Sequence, residues 1–471
     1  MERQVMVMDK NTEIELKLLV SKADLKKLLG LDFVSAAVRP ESCRKRRLIS
    51  SYYDTADWAF KDNGIAYRVR DKGDGTYEAT VKTSLQNSAG LSERRELNLP
   101  LPAAKPVLDG FMELGLDVDL NELAPEGVQK MFTVTVQRTT YILDLDGATA
   151  ELAIDHGKIT AGKNSEKIDE IEIELLEGET GALLTFAAKL AAAVPLFAEK
   201  RSKFARGLAL CGMTANEPAS KSKMGGGPVR VELLQAAQQC GGVLLDLQNQ
   251  LREQAGDALL KEARRQLAAL RSLAAVGTEL TAAEAQGAEL LAACLQKVDG
   301  LRSLRALQKL WSGLYEQGRP ALGRCALTKK LAQAVDTAAT DVQDMARRGE
   351  LTAVVYAVSG WLYNLPLHDD EQSGGEAARS CIKAWQLLTE VGQDDAAQNA
   401  AENICALARL NSGKFFAKAG ENTKKLRRQL VRQSMLRSWQ RFLNETCAAS
   451  TSKLLYRDAG IVMGYLLAKE Q

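Results

Sequence analysis

The feature that most restricts this chain is strict alternation of charged and apolar residues near both ends of its first 200 residues. In Thr12-Glu13-Ile14-Glu15-Leu16-Lys17-Leu18 the alternation is unbroken. Side chains alternate across a β-strand, so Glu13, Glu15 and Lys17 share one face and Ile14, Leu16 and Leu18 the other. Glu170-Ile171-Glu172-Ile173-Glu174-Leu175 repeats the pattern with three carboxylates in a row. Such a row is unfavourable unless cations lie near. The stretches between supply them. Arg68 and Arg70 share a face, and Lys82, Arg94 (with Glu96) and Arg138 follow in similar runs. Glu151 and Asp155 share a face of Glu151-Leu152-Ala153-Ile154-Asp155, and Lys200-Arg201-Ser202-Lys203-Phe204-Ala205-Arg206 adds positive charge.

Two architectures accommodate such strands. One is a half-buried antiparallel sheet with its polar face in solvent, the commonest source of this pattern for any single strand. The other is a closed barrel holding the charged faces inside, with helices covering the outside. Carboxylates concentrate on the first and last strands and basic residues on the middle ones, and a solvated sheet has no reason to sort its charges. A lumen of Lys, Arg and Glu needs ligands to balance it: an anion for the cations and a divalent metal for the carboxylates. The expectation is an α+β chain: a closed antiparallel eight-stranded β tunnel with flanking helices, followed by an all-α helical-bundle domain.

At 471 residues the chain exceeds one core. Its texture changes near residue 215, from Val-, Ile- and Thr-rich alternation to Ala-, Leu- and Glu-rich helical spacing. Residues 213–228 read as a linker. The expected domains are therefore a tunnel over 10–212 and helices over 229–471, numerous enough for two stacked bundles. Strands are expected near 12–19, 48–54, 64–70, 76–83, 92–99, 133–144, 149–155, 158–161 and 168–176, and helices over 21–29, 104–115 and 180–193. In the second half about ten helices are expected, with breaks near Gly256, Gly277, Gly318–Pro320, Gly349, Pro366–Gly375, Asp394, Gly413 and Ser450.

Some chemistries are disfavoured at once. Only His156 and His368 are present, which argues against a histidine base or a His-rich metal site. The eight cysteines are scattered with no C-x-x-C pair, unlike a zinc site or a disulfide framework, and suit a reducing cytosol. No apolar leader and no uncharged run approaching the roughly 20 residues of a membrane helix is found, so a cytoplasmic protein without membrane or specific nucleic-acid partners is expected. No Gly-x-x-x-x-Gly-Lys-Ser/Thr loop occurs. Several Arg and Lys facing several carboxylates suit a metal–polyphosphate complex: the cations neutralise phosphate oxygens, and Mg²⁺ bridges carboxylates to phosphate. Hydrolysis then needs mainly charge stabilisation and an oriented water.

These residues form a set. Glu13-x-Glu15-x-Lys17, Tyr52-Tyr53-Asp54-Thr55, Arg68-x-Arg70, Lys82, Arg138, Glu170-x-Glu172-x-Glu174 and Ser202-Lys203-x-x-Arg206 resemble, in order, the signature of the CYTH proteins, the triphosphate tunnel metalloenzymes. The resemblance implies an eight-stranded tunnel with Glu13, Glu15, Glu172 and Glu174 as metal ligands, binding Mg²⁺ or Mn²⁺. It implies Lys17, Arg68, Arg70, Lys82, Arg138 and Lys203 as phosphate ligands, and Arg94 joins them on its charge. Glu96, Asp155 and Lys82 are the candidate catalytic groups. Glu170 is read as a solvent-facing strand-end charge. The implied activity is metal-dependent hydrolysis of inorganic triphosphate to diphosphate and phosphate, with short polyphosphate as a related substrate. Alternatives are a class IV adenylyl cyclase, a thiamine triphosphatase or a non-catalytic polyphosphate-binding protein.

The helical half resembles a degenerate CHAD domain, a module thought to bind polyphosphate, although its only histidine, His368, falls in a loop-like stretch. Basic residues in Leu301–Leu307 and in Lys424–Arg428 with Arg432, Arg437 and Arg441 offer an anion-binding surface or a solvated helix face. Trp311, Trp361, Trp385 and Trp439 read as core, and His156 as part of a hairpin turn.

Overall fold

The strands turn their charged faces inward and their apolar faces outward. The computed structural model describes residues 12–88, 90–214, 224–316, 326–366, 373–391, 395–448, 457, 460–462 and 464. It divides into two compact units, Met1–Lys221 and Ser222–Gln471. His368 and the expected breaks at Gly318–Pro320, Asp394 and Ser450 lie outside the described residues.

In the first unit β1 (Thr12–Leu19), β2 (Arg44–Asp54), β3 (Ile65–Asp71), β4 (Tyr77–Ser88), β5 (Leu91–Leu101), β6 (Gln129–Leu145), β7 (Ala148–Ala161) and β8 (Asn164–Gly178) form one antiparallel sheet. The order is β5-β4-β3-β2-β6-β7-β8-β1, and β1 also pairs with β5, which closes the barrel. The two-residue β9 (Phe197–Ala198) adds to β1. Leu16, Leu18, Leu152, Ile171 and Ile173 are fully buried outside the barrel wall. The helices α1 (Lys22–Leu29), α2 (Asp32–Ala37) and α5 (Thr180–Ala193) belong to the same unit, and α1 and α5 bury Leu25, Leu28, Leu183 and Leu190. A second outer core joins Ile65, Tyr67, Val69 and Val81 to Phe60 of α3 (Ala59–Asp62), Phe111 and Leu120 of α4 (Leu120–Leu123). Closure thus lets a charged strand face coexist with a dry core, because the core is outside.

Two expectations fail here for identifiable reasons. Residues 104–115 form turns, not a helix: Pro106 lacks an amide, and Gly110 and Gly115 sit at φ 89° and 95°. Stretches 149–155 and 158–161 are one strand, β7, with His156 mid-strand rather than in a hairpin turn. Gly157 keeps that strand continuous, since a Cβ there would meet the Thr135 carbonyl oxygen at 2.0 Å. Tyr52-Tyr53-Asp54-Thr55 proves partly architectural: buried Asp54 accepts the amides of Thr55, Phe60 and Lys61, which fixes α3.

The last helix of this unit, α6 (Lys203–Leu210), lies on the inner face of the barrel wall. Its Phe204 and Leu208 pack with Tyr52, Phe132, Val134, Val136, Ile159 and Ile168, all on the same strand faces as the charged residues. Gly207 lies so close to the Phe132 ring that a Cβ would approach it to 2.1 Å. One end of the tunnel is therefore covered by α6.

The second unit is all helical in its described residues: α7 (Val229–Leu251), α8 (Asp257–Thr281), α9 (Ala288–Glu316), α10 (Ala326–Arg347), α11 (Glu350–Asn364), α12 (Gly374–Val391), α13 (Asp395–Leu410) and α14 (Lys414–Ala448). Trp311, Trp361, Trp385 and Trp439 are buried in its cores. The break expected at Gly277 is absent. This glycine lies inside α8 and forms a notch for Trp361 and Leu365, whose atoms a Cβ would meet at 2.7 and 2.8 Å. None of the described helices is long and apolar enough to cross a membrane.

Candidate active site in the tunnel

Strand register places the sequence-derived residues in one space. Across β1 and β8, Glu15 stands opposite Glu174 and Lys17 opposite Glu172. Across β7 and β8, Glu151 stands opposite Glu174 and Asp155 opposite Glu170. Tyr52 and Ser50 of β2 face Arg68 and Arg70 of β3, and Lys82 of β4 faces Glu96 of β5.

Inside this wall most charges are paired. Lys82 Nζ donates to Glu13 Oε2 at 2.6 Å and also bonds Glu96. Arg68 reaches Glu96 at 3.5 Å, and Glu15 pairs with Lys17 and, at 3.7 Å, with Arg94. Burial drives the Glu96 carboxyl upward, but Lys82 and Arg68 outweigh it and hold it well below the usual range. A second network centres on Lys203. Its Nζ lies 2.8 Å from Asp155 Oδ2, 2.5 Å from Glu170 Oε1 and 2.8 Å from Glu172 Oε1. Arg138 forks onto Asp155 at 2.6 Å and Glu172 at 2.5 Å, while Arg206 holds Glu170 at 2.5 Å. Against burial, Lys203 and Arg138 keep Asp155 and Glu172 ionised, with pKa values below the ordinary carboxylate range. Glu170, expected to face solvent, is 1% exposed; its partners come from α6, which no local pattern announces.

Two members of the set stand apart. Arg70 lies partly buried in the lumen, donates its Nε to Ser50 Oγ at 3.0 Å, and pairs with no carboxylate among the described residues. Burial and the charges of Arg68 and Arg138 pull it down to about 10. Glu174 likewise has no cation partner among the described residues; burial and the neighbouring Glu13 and Glu15 push it up to about 8. Glu151, also without an ion pair there, is raised by burial and by Glu172 and Asp155. Glu151, Glu174 and Glu15 thus stand side by side on β7, β8 and β1. Like charges directly opposite one another destabilise a sheet unless something neutralises them.

The tightest carboxylate trio among the described residues is Asp155, Glu170 and Glu172. It is the less suitable cation site, because Lys203, Arg138 and Arg206 already fill it. Of the four expected metal ligands it contains only Glu172. Reasoning from sequence did not assign roles to Glu151 or to Arg46 of β2, although Arg44-x-Arg46 carries the same period-two signal.

Residues 11–208 match the sequence profile of the CYTH domain. This stretch is therefore similar to a CYTH domain. Over 200 residues the chain is 28% identical to an inorganic triphosphatase of Haemophilus influenzae, covering 42% of this chain and 54% of that protein. The chain thus spans about half the length of that curated relative. Among solved structures, a Hippeastrum protein described as an adenylyl cyclase with a dominant triphosphatase activity aligns with 43% of this chain and 96% of its own (22% identity, TM-score 0.31). The CHAD domain of Ricinus communis aligns with 54% of this chain and 91% of its own (15% identity, TM-score 0.42).

The helical unit carries a groove of its own. It measures about 1390 Å³ and is lined by Lys261, Arg264, Arg302, Arg305 and Lys309 with two acids, Asp257 and Asp299. Arg264, Arg302 and Arg305 pair with those acids. Lys261 and Lys309 pair with none among the described residues. The basic cluster of α14 at Lys424–Arg428 lies outside this lining.

Proposed function

We propose that the tunnel hydrolyses inorganic triphosphate to diphosphate and phosphate with a divalent cation, Mg²⁺ or Mn²⁺. The observation that carries this reading is the pair of uncompensated corners. Arg70 beside Arg68 and Arg138 lacks a counter-anion, and Glu174 beside Glu15 and Glu151 lacks a counter-cation. A metal–polyphosphate complex neutralises both at once, whereas an anion alone leaves the acidic corner strained.

The acidic row fits a hard cation: three carboxylates in register supply oxygen ligands, and none of Glu151 and Glu174 must first surrender a lysine or arginine. Glu15, Glu174 and Glu151 would hold it, with Glu13 beside them in its pair with Lys82 and Glu172 at the border of the Lys203 network; when bound, it supplies charge that withdraws electrons from a phosphoryl group. The remaining work falls to the chain. Arg68, Arg70, Lys82 and Arg138 cradle phosphate oxygens and stabilise the charge that develops on them, and Arg94 and Lys17 set the charge balance around Glu15. Glu96, kept ionised by Lys82 and Arg68, is placed to accept a hydrogen bond from the attacking water. Asp155 orients Arg138 and Lys203. Because α6 covers one end, substrate enters by the other.

In the helical unit, a groove with five basic residues suits a longer polyphosphate, a role consistent with the CHAD resemblance. The seven cysteines among the described residues are free thiols, five of them buried, which suits a reducing compartment such as the cytosol.

Phosphate release from triphosphate, ATP, thiamine triphosphate and long-chain polyphosphate, with and without Mg²⁺, tests the reading. Metal-dependent preference for triphosphate is expected. Cyclic AMP from ATP, or no release from any substrate, refutes it.

A further inference from the structure

Resting on the triphosphatase reading, the remaining question is which triphosphate the tunnel accepts, and the open mouth bears on it. Strand directions put that mouth opposite α6, bordered by the start of β2, the β3–β4 hairpin and the β6–β7 hairpin. Arg46 lies there on the lumen face of β2, directly opposite Arg138 on β6. Two arginines facing each other across a strand pair repel unless an anion bridges them. Among the described residues its one ion pair is with Asp74, at 3.7 Å, too far for a hydrogen bond, and the Glu151 carboxylate feels its charge from further off. Asp74 is itself occupied by the Thr76 hydroxyl and amide. The Arg46 side chain is 52% exposed, whereas those of Arg68 and Arg138 are 10% and 16% exposed.

Among the described residues the lumen face presents no aromatic ring at this end. Its described aromatic rings are Tyr52 and Phe132, stacked at 4.7 Å under Phe204 of α6, at the covered end. Nucleoside recognition draws on apolar and aromatic contacts; the mouth presents an arginine instead. An unesterified terminal phosphate carries a second ionisable oxygen that the α-phosphate of a nucleotide lacks.

We propose that Arg46, paired across the strand with Arg138, binds the outer, unesterified phosphate of the substrate and so selects inorganic triphosphate over nucleoside triphosphates. Replacing Arg46→Ala lowers the ratio of kcat/KM for triphosphate to that for ATP by about tenfold, the worth of one charge-assisted phosphate contact. Arg46→Lys recovers part of that ratio. An equal fall for both substrates, or no fall for either, overturns the assignment. If the unaltered protein hydrolyses neither compound, it is the triphosphatase reading that fails. Calorimetric binding of triphosphate against ATP then still decides on Arg46: an unchanged preference in Arg46→Ala refutes its role.

Discussion

Replacing Glu174 by Gln separates a structural carboxylate from one held ready for a cation. In the folded chain this carboxyl titrates at about 8 rather than at the ordinary 4.5, raised by burial and by Glu13 and Glu15. Between those values the folded state binds more protons than the unfolded one. Stability therefore falls as pH rises from 4.5 to 8, and the whole penalty is present above 8. At 1.36 kcal/mol per pKa unit the ceiling is about 5 kcal/mol, and sharing of charge with Glu13, Glu15 and Lys82 leaves about 2–5 kcal/mol. Gln is uncharged at every pH, so Glu174→Gln removes the penalty. For a unit of this size, about 2–4 °C per kcal/mol, the variant should melt roughly 5–15 °C higher than the parent at pH 8.5 in EDTA. At pH 5 the two should nearly coincide. Added Mn²⁺ should raise the parent's transition at pH 8.5 and leave the variant's in place. Below pH 8 the parent's metal affinity should tighten by about tenfold per pH unit, as one proton leaves for each ion bound. Parallel melting of parent and variant from pH 5 to 9, or a variant less stable at pH 8.5, refutes the reasoning.

Lys203→Met withdraws the cation shared by Asp155, Glu170 and Glu172 and should cost about 3–5 kcal/mol in urea unfolding, more at pH 8 than at pH 5. Arg70→Met removes a partly buried cation without a carboxylate partner; it should leave thermal stability unchanged or raised, while calorimetry shows triphosphate affinity falling about 100-fold. Gly277→Ala drives a methyl into Trp361 and Leu365 and should destabilise the helical unit by about 1–3 kcal/mol, read from its unfolding transition.

The lumen face was legible because strand alternation is a local property: Glu13, Glu15 and Lys17, or Glu170, Glu172 and Glu174, must share a face whichever strands adjoin them. Which charges meet is set by register and closure, and these are long-range. Nothing near Glu170 announces that Lys203 and Arg206 reach it from a helix more than thirty residues on, so an interior carboxylate read as a solvent-facing one. Residues 104–115 misled differently. Leu108 and Phe111 have helical spacing, yet it serves an outer core reached through glycine turns. At Gly277 a residue that commonly ends helices was needed for its missing side chain.

The position of α6 in the chain has a consequence for how the protein is made. Lys203 and Arg206 neutralise carboxylates contributed by β7 and β8, yet they follow those strands in synthesis. As the chain leaves the ribosome in order, every strand of the barrel is available before its interior can be electrically balanced. A chain arrested before residue 203 leaves Arg138 to hold Asp155 and Glu172, and leaves Glu170 without its ion-pair partners Lys203 and Arg206. Closure of the tunnel is thereby coupled to completion of its own last helix, and a truncated product betrays itself by buried negative charge.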